Sequence, residues 1–539
     1  MRSLVLSTLL LGAALTCGDG LTVRRTLADE SLPQKIDALI AARAGGPLSP
    51  RTDDAAFLRR IYLDLAGRIP TVAEAREFLA DPAADKRDRL IDRLLASPDH
   101  AQRLADVLHV MLMERLGDAP EWRRYLVTAV STNKPWDRLV REMIWADVAD
   151  EGTRGAAFFF TKRLENYGQN PVDVPGLVRD VGRLFLGVDV QCAQCHDHLF
   201  VPEYTQDYYQ GLFAFVGQAQ IRRDVKFPAL AETPLKKKVE FASVFTKEPR
   251  SVGPKLPGGA EIDIPVLPAG EEYETPPDRK TNAPGVLKFS PLKLLAEQLP
   301  TASNRAFARN MANRLWWLTM GRGLVQPLDL HHTENPPSHP ELLELLASEF
   351  SNHQFDIRWL LSQLARTETY QRSSHLPADA PPEQVPVESY RTALEKPLSA
   401  EQLLAAIAQA TEVAPREQAQ TEAWEKLRER FAKAFANPPR EPETEYAPSV
   451  RGALFLLNDE VILRWLADSP GNLIERLGKL EPAAPIADEL YLAVLSRLPT
   501  DEERAEVQTT LERHSDRRPA ALARLAWALL ASTEFSVNH

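Results

Sequence analysis

Residues 57–74 read Phe-Leu-Arg-Arg-Ile-Tyr-Leu-Asp-Leu-Ala-Gly-Arg-Ile-Pro-Thr-Val-Ala-Glu, and they already indicate the class of fold. In the first part of this stretch, apolar residues recur at spacings of three and four, which is the pattern of an amphipathic helix. Pro70 ends that helix, and Thr71 stands three residues before Glu74, as in a capping box that begins another helix. The stretch predicts a helix, a tight turn and a second helix.

A similar phrase recurs near the end of the chain. Residues 491–503 read Tyr-Leu-Ala-Val-Leu-Ser-Arg-Leu-Pro-Thr-Asp-Glu-Glu, so their Arg, Pro, Thr and Glu take the same relative places as in residues 62–74. Leu-Leu-Ala-Ser then follows both copies, at residues 94–97 and 529–532. We interpret the repeat as a helical hairpin that closes the core at each end of the chain, rather than as a docking repeat.

Helical periodicity continues over most of the chain, but a middle part is rich in Pro, Gly, Lys and Thr. Within that part, Val239 to Phe245 and Ile262 to Val266 alternate in polarity, which predicts two strands. We therefore expect a mainly α protein, with two multi-helical domains and a small Pro-rich, β-containing insert or linker between them. The expected ranges are residues 30–217 for the first domain, 218–285 for the insert and 286–535 for the second domain.

A polar cluster in the second half could be read as a ligand loop. It holds His331 and His332 and, shortly after them, Ser338 three residues before Glu341. The last two residues have the spacing of a capping box. We interpret the cluster as the start of a helix over residues 342–350.

The composition excludes some classes of function. The chain has 539 residues, of which 44% are hydrophobic, and a net charge of -11. That apolar content is enough to fill the cores of domains, whereas a negative net charge is unsuited to nucleic-acid phosphates. After the first residues, no apolar run reaches the length of a membrane span. We expect neither a nucleic-acid partner nor a membrane span.

The first residues have the pattern of a secretory signal peptide. A short basic start precedes an apolar run from Leu4 to Leu15, and small and polar residues follow around Gly18. We expect residues 1–18 to direct export by the Sec route, to the periplasm or the cell surface. Lipid attachment at Cys17 is the alternative, which Thr16 disfavours because a small Gly or Ala is expected at that place.

Residues 191–198 read Gln-Cys-Ala-Gln-Cys-His-Asp-His and hold both cysteines that follow the predicted signal peptide. The spacing Cys192-x-x-Cys195-His196 is that of a c-type haem attachment site, in which the two thiols bind the porphyrin covalently and the histidine ligates the iron. Export agrees with this interpretation, because thioether attachment of haem takes place outside the cytoplasm. The motif predicts haem c at Cys192, Cys195 and His196.

Two other interpretations of the same residues stay open. Two thiolates and two imidazoles are enough for a zinc, non-haem iron or copper site, with Asp197 as a carboxylate that orients a ligand. The ligands of this alternative metal site would be Cys192, Cys195, His196 and His198. In the third interpretation, a disulfide between the two cysteines only holds a turn together.

A haem iron can also take a ligand on its far face. His198 follows His196 too closely in the sequence to reach that face. Four residues on predicted helices could supply the ligand, but each is more typical of a core: His109, Met111, Met113 and Met143. Five aromatic residues that follow the motif at helical spacing are also interpreted as core: Tyr204, Tyr208, Tyr209, Phe213 and Phe215.

The chain resembles the planctomycete cytochrome-like proteins that join a DUF1549 (PSCyt2) domain to a DUF1553 (PSD1) domain. The segment from Phe57 to Ala80 is similar to the opening helix pair of that family, and residues 185–198 are similar to its central signature. The other segments that carry the resemblance are residues 205–215, 304–316, 335–343 and 398–403. Members of the family commonly have Pro where this chain has Leu199, and many have an additional cytochrome c domain.

The resemblance implies a family without implying a reaction. We find no nucleophile elbow, phosphate-binding loop, dinucleotide fingerprint or His-Glu-x-x-His motif, so no class of enzyme is assigned. The sequence predicts an exported protein that carries c-type haem and takes part in periplasmic electron transfer or redox chemistry, with a redox protein or a neighbouring exported enzyme as its partner. The alternative is a helical binding or scaffold protein whose Cys/His cluster holds a structural or catalytic zinc or non-haem iron.

Overall fold

A computed structural model describes residues 30–165, 172–377, 381, 385–413, 422–444, 450–480 and 484–539. The predicted signal peptide, residues 1–18, and Cys17 lie outside the described residues.

The described chain is mainly α-helical, which confirms the predicted fold class. The helices before the insert are α1 (Leu32–Arg43), α2 (Asp54–Ala66), α3 (Val72–Ala80), α4 (Lys86–Leu95), α5 (Pro98–Met113), α6 (Pro120–Ser131), α7 (Trp136–Ile144), α8 (Phe158–Arg163), α9 (Val174–Val181) and α10 (Gln206–Val216). The helices after it are α11 (Pro291–Gln298), α12 (Arg305–Met320), α13 (Pro340–Asn352), α14 (Ile357–Ala365), α15 (Glu368–Gln371), α16 (Ala400–Ala410), α17 (Glu422–Phe435), α18 (Val450–Asn458), α19 (Glu460–Trp465), α20 (Leu473–Gly478), α21 (Ala484–Leu495), α22 (Asp501–Arg513), α23 (Arg518–Leu530) and α24 (Thr533–Ser536). None of these described helices combines the length and the apolar character that a bilayer crossing requires.

The strands are short and form antiparallel pairs. These pairs are β1 (Ala219–Ile221) with β2 (Leu230–Glu232), β3 (Val239–Ala242) with β4 (Pro249–Val252), β5 (Tyr273–Thr275) with β6 (Val286–Leu287), and β7 (Lys396–Pro397) with β8 (Val537–Asn538). The strand predicted from Val239 is confirmed over its first four residues. The strand predicted over Ile262 to Val266 is wrong: Pro265 has no amide to donate to a ladder, and Val266 is 98% exposed.

Buried apolar side chains form two cores. The larger core contains helices from both sides of the insert, since Trp136 of α7 stacks on Phe307 of α12 with the ring centroids 6.2 Å apart. The smaller core is built by the helices from α16 to α24, together with Leu63 and Ile69 from the opening hairpin. The last part of the chain therefore packs on the first part. The domain boundaries at residues 217 and 286 stay predictions.

Both predicted hairpins form with their capping boxes. The Thr71 hydroxyl accepts a hydrogen bond from the Glu74 amide at 3.1 Å, and the Thr71 amide donates to the Glu74 carboxylate at 2.7 Å. In the second copy, Thr500 and Glu503 repeat these bonds at 3.2 and 2.8 Å. In each copy, the Arg three residues before the Thr also pairs with the Glu and lies over the Tyr ring of the preceding helix. The repeat is thus the same packed unit, used at both ends of the chain.

Thr71→Ala and Thr500→Ala are each expected to destabilise the protein by about 1 kcal/mol, because each removes the oxygen that caps amides at a helix start. The free energy of unfolding from urea titrations measures this loss. Thr509→Ala is the control, since Thr509 is an exposed residue within α22 and its replacement should cost nothing. A folded Thr71 or Thr500 variant that loses a bound cofactor would contradict a purely structural role.

The helix predicted over residues 342–350 exists as α13, but it begins earlier, at Pro340. The predicted capping box of Ser338 and Glu341 is wrong, because His339 occupies the N-cap position and its side chain makes no capping bond. Contacts that are remote in sequence hold Ser338 instead: its amide donates to the Leu324 carbonyl at 2.8 Å, and its carbonyl accepts from Arg43 at 2.9 Å.

Candidate functional site

The candidate site follows α9 directly. Gly182–Leu186 extend the helix as a π-helical turn, which is a rare element in proteins. Gly187 then ends the helix with a φ of 72°. A Cβ atom at Gly187 would lie 2.7 Å from Cδ2 of His331, so only glycine fits there. The chain leaves the helix at this fixed point and carries the Cys-x-x-Cys-His motif to the surface.

The motif itself begins with a short 3-10 turn, Cys192–Gln194. Ala193 lies fully buried in the middle of the turn, and its amide donates to the Val190 carbonyl at 3.0 Å. Cys192 and Cys195 are both exposed, and both are free thiols rather than a disulfide. The buried alanine therefore anchors a turn that presents two unpaired thiols to solvent.

One ring nitrogen of His196 is engaged by the backbone. Its Nδ1 atom lies 2.7 Å from the backbone oxygen of Asp197. Because a carbonyl oxygen only accepts hydrogen bonds, Nδ1 carries the hydrogen and Nε2 keeps its lone pair in the neutral ring. Histidines that ligate metals commonly have this arrangement, since a second hydrogen bond orients the ring.

His198 has the opposite arrangement. Its Nδ1 atom accepts hydrogen bonds from the backbone amides of Phe200 and Val201, at 3.2 and 3.0 Å. In the neutral ring, the hydrogen is therefore on Nε2, and neither nitrogen has a free lone pair for a metal. The His198 amide also donates to the Tyr204 carbonyl at 2.8 Å. The ring and the backbone of His198 therefore both hold this loop together.

The metal-site interpretation gives the Asp197 carboxylate the role of orienting a ligand, whereas in the structure this carboxylate bonds to the backbone. Its Oδ1 atom accepts a hydrogen bond from the Gln206 amide at the start of α10, at 2.7 Å. Among the described residues, no three His, Cys, Asp or Glu side chains are gathered in the way that would hold a metal ion. The structure thus places Cys192, Cys195 and His196 on one exposed turn, but it gathers neither these three side chains nor the set that includes His198 around a single point.

Large apolar side chains are exposed beside the motif. Leu199, Phe200, Val244 and Phe245, which we call the apolar patch, are between 57 and 78% exposed. The Val244 amide donates to the Cys195 carbonyl at 3.0 Å, and the Phe245 ring centroid lies 4.8 Å from that of His196. Exposed large apolar side chains grouped around one motif are typical of binding surfaces.

The π-helical turn also places Arg183 in a buried ionic network behind the motif. The Arg183 side chain donates to Glu114 at 2.9 and 2.8 Å and to Asp329 at 2.6 Å, and it lies 3.3 Å from Asp180. Burial raises the pKa of Glu114 above its ordinary value, and the charge of Arg183 only partly opposes this. Burial acts on Asp180 in the same direction, but Arg163 and Arg183 together hold the pKa of that carboxyl below its ordinary value. No periodic pattern in the sequence indicated this network.

A polar cavity of about 270 Å³ separates that network from the motif. Gln191 and Gln194 line it from the motif, and Arg183 and Tyr209 line it from the helices. The Tyr209 hydroxyl is buried and has no hydrogen-bond partner among the described residues. The cavity is large enough for several water molecules, each of which takes about 30 Å³.

The residues considered for the far face of a haem lie in the core, as their sequence context indicated. His109, Met113 and Met143 are buried, and Met111 packs against the same core. His109 accepts a hydrogen bond from the Trp122 indole at 3.0 Å. The aromatic residues after the motif are core residues as well: Tyr204, Tyr209 and Phe215 are buried, and Tyr208 and Phe213 pack against them from partly buried positions.

Fold and site together define a mainly α-helical protein with a solvent-exposed Cys-x-x-Cys-His turn. Residues 35–220 match a family model described as PSCyt2, protein of unknown function (DUF1549), and residues 293–428 match one described as PSD1, protein of unknown function (DUF1553). The chain belongs to the family that joins these two domains, so the resemblance to DUF1549 and DUF1553 is confirmed, whereas a planctomycete origin stays a prediction. Neither a curated protein nor a solved structure matches the chain.

Proposed function

We propose that this is an exported protein that carries haem c, bound covalently through Cys192 and Cys195 and with His196 as an iron ligand, and that it acts in electron transfer or redox chemistry outside the cytoplasm. The observation that carries the proposal is the state of His196. Its Nδ1–H group donates to a backbone carbonyl, and its Nε2 lone pair is available on the same turn as two free thiols. A bound haem supplies a one-electron iron couple.

The residues of the motif fit this group in three respects. Both thiols are exposed, so a porphyrin can approach them without unfolding the turn. His196 is oriented by the Asp197 carbonyl and not by a side chain that other contacts could displace. The apolar patch supplies a surface that a flat apolar ring system would cover, and covering it would remove its unfavourable exposure to water.

The chain's own residues then have separate tasks. Ala193 anchors the turn, and the Asp197 backbone fixes the tautomer of His196. Phe245 packs beside the His196 ring and excludes water from that side. The proposed partner is a redox protein or a neighbouring exported enzyme that exchanges electrons with the site, and residues 1–18 are the proposed export signal.

The experiment is to express the full chain in an exporting host that has haem-attachment machinery, and to purify it from the exported fraction. We expect a Soret band, and we expect the haem to stay on the polypeptide through denaturation and acid-acetone extraction, because thioether bonds are covalent. A colourless protein from that host, with a stoichiometric amount of zinc or iron by elemental analysis, would contradict the proposal. That result would favour the alternative metal site at Cys192, Cys195, His196 and His198.

A further inference from the structure

A second cavity, of about 660 Å³, lies between the opening helices and helices from the C-terminal part of the chain. Its walls come from α2 and α5 on one side and from α16 and α17 on the other, and it shares no lining residue with the Cys-x-x-Cys-His motif. A neighbouring cavity of about 610 Å³ shares Arg103 and Gln402 with it. Arg103 therefore stands in the wall between two spaces that are each large enough for a small molecule.

Arg103 is unusual because its guanidinium makes no hydrogen bond and no ion pair with any other described residue. Its Nε atom is buried and lacks an acceptor. The path of the side chain is defined by Gly67, since a Cβ atom at Gly67 would lie 2.9 Å from Cδ of Arg103. The residue as a whole is partly buried and lines both cavities. A buried N–H group without an acceptor has lost its hydration and gained no hydrogen bond in return. The Arg103 guanidinium therefore lacks a hydrogen-bond acceptor among the described residues.

The carboxylates whose charges act on Arg103 do not supply an acceptor, because each is bonded to another cation. Asp64 accepts from Lys396 at 2.7 Å, and Glu401 accepts from Arg115 at 2.5 Å. Asp106 accepts from Arg123 at 2.8 Å and from Arg428 at 2.9 Å. An arginine carries five N–H donors in a planar fork that matches a carboxylate.

The rest of the cavity wall indicates which chemical group a ligand would carry besides its acceptor. Apolar side chains line it at Leu94, Val127, Leu404 and Trp424. We infer that this cavity binds a small organic carboxylate, whose carboxylate group pairs with Arg103 and whose apolar part lies against these side chains. A guanidinium that lines a cavity and has no acceptor of its own is suited to anchor a carboxylate ligand.

The probe for this inference is benzoate, with benzamide as its uncharged counterpart, each titrated into the full-length protein by calorimetry. We expect benzoate to bind and benzamide to bind at least about tenfold more weakly, which corresponds to the loss of one charge-assisted hydrogen bond. Arg103→Met should weaken benzoate binding at least as much, and Arg103→Lys should weaken it less. Arg124→Met, which replaces an exposed arginine of α6, is the matched control and should leave binding unchanged.

Stability without the probe separates a binding role from a structural one. Because the guanidinium has no partner and methionine retains the apolar stem, Arg103→Met should have a midpoint of thermal unfolding equal to or above that of the wild type. The inference is overturned if benzoate and benzamide behave alike in the wild type, if neither binds, or if Arg103→Met lowers the midpoint while Arg124→Met does not. Benzoate binding and the unfolding midpoint do not depend on haem content. The carboxylate-site inference and the redox proposal can therefore fail independently of each other.

Discussion

Replacing Cys192 and Cys195 together with alanine is expected to abolish covalent haem attachment completely, while the protein stays folded. Both thiols are exposed and unpaired, and the turn that carries them is held by the buried Ala193 and by backbone hydrogen bonds, so their removal leaves the core intact. A haem stain of denatured protein measures the attachment, and circular dichroism checks the helix content. Haem that stays covalently attached to the double variant would show that attachment lies elsewhere.

The two histidines of the motif provide a matched pair for the same experiment. His196→Ala should leave haem attached or partly attached but with altered iron ligation, because the Nε2 lone pair of His196 is the available one. His198→Ala should leave the ligation unchanged, since Nδ1 of His198 is engaged by two backbone amides. The visible absorption spectrum of each variant reports the ligation. In the zinc alternative, substitution of Cys192, Cys195 or His196 lowers the metal stoichiometry and there is no Soret band to change.

Arg183→Met is expected to destabilise the protein by about 3–5 kcal/mol, the loss that follows when one partner of a buried ionic network is removed. Arg183 is 2% exposed, and without it the buried Glu114 and the partly buried Asp180 and Asp329 have fewer counter-charges. The free energy of unfolding in urea measures the change. The control is Arg179→Met, because Arg179 pairs with Asp189 at 3.4 Å in a partly exposed position and should cost only about 0–1 kcal/mol.

The destabilisation by Arg183→Met should also depend on pH in a defined direction. Burial already raises the pKa of Glu114, and loss of Arg183 removes the charge that opposes this rise. A carboxyl whose pKa is raised in the folded state loses its contribution to stability as the pH increases, so the deficit should be larger at about pH 7 than at about pH 5. Equal deficits at both values, or a deficit no larger than that of Arg179→Met, would mean that the network is not a coupled ionic unit.

Several features of the fold could be worked out from residues that are close together in the sequence. The helical class, the two hairpins and the capping boxes at Thr71 and Thr500 all depend on side chains within about one helical turn of each other. The Cys192-x-x-Cys195-His196 motif and the segments that resemble the family are also runs of neighbouring residues, so the sequence alone shows them. The box expected at Ser338 was wrong, since the Leu324 carbonyl and the Arg43 side chain bind the Ser338 backbone.

The chemistry of the candidate site depended instead on contacts that span the chain. The apolar patch exists because residues 244 and 245 pack beside Cys195 and His196. The hydrogen bonds of the folded loop leave a ring-nitrogen lone pair available on His196 and not on His198. The unpartnered Arg103 became visible only when helices from both ends of the chain enclosed it. Local patterns cannot show such features, because hydrogen bonding and burial are set by whichever remote segment comes to lie against a residue in the folded chain.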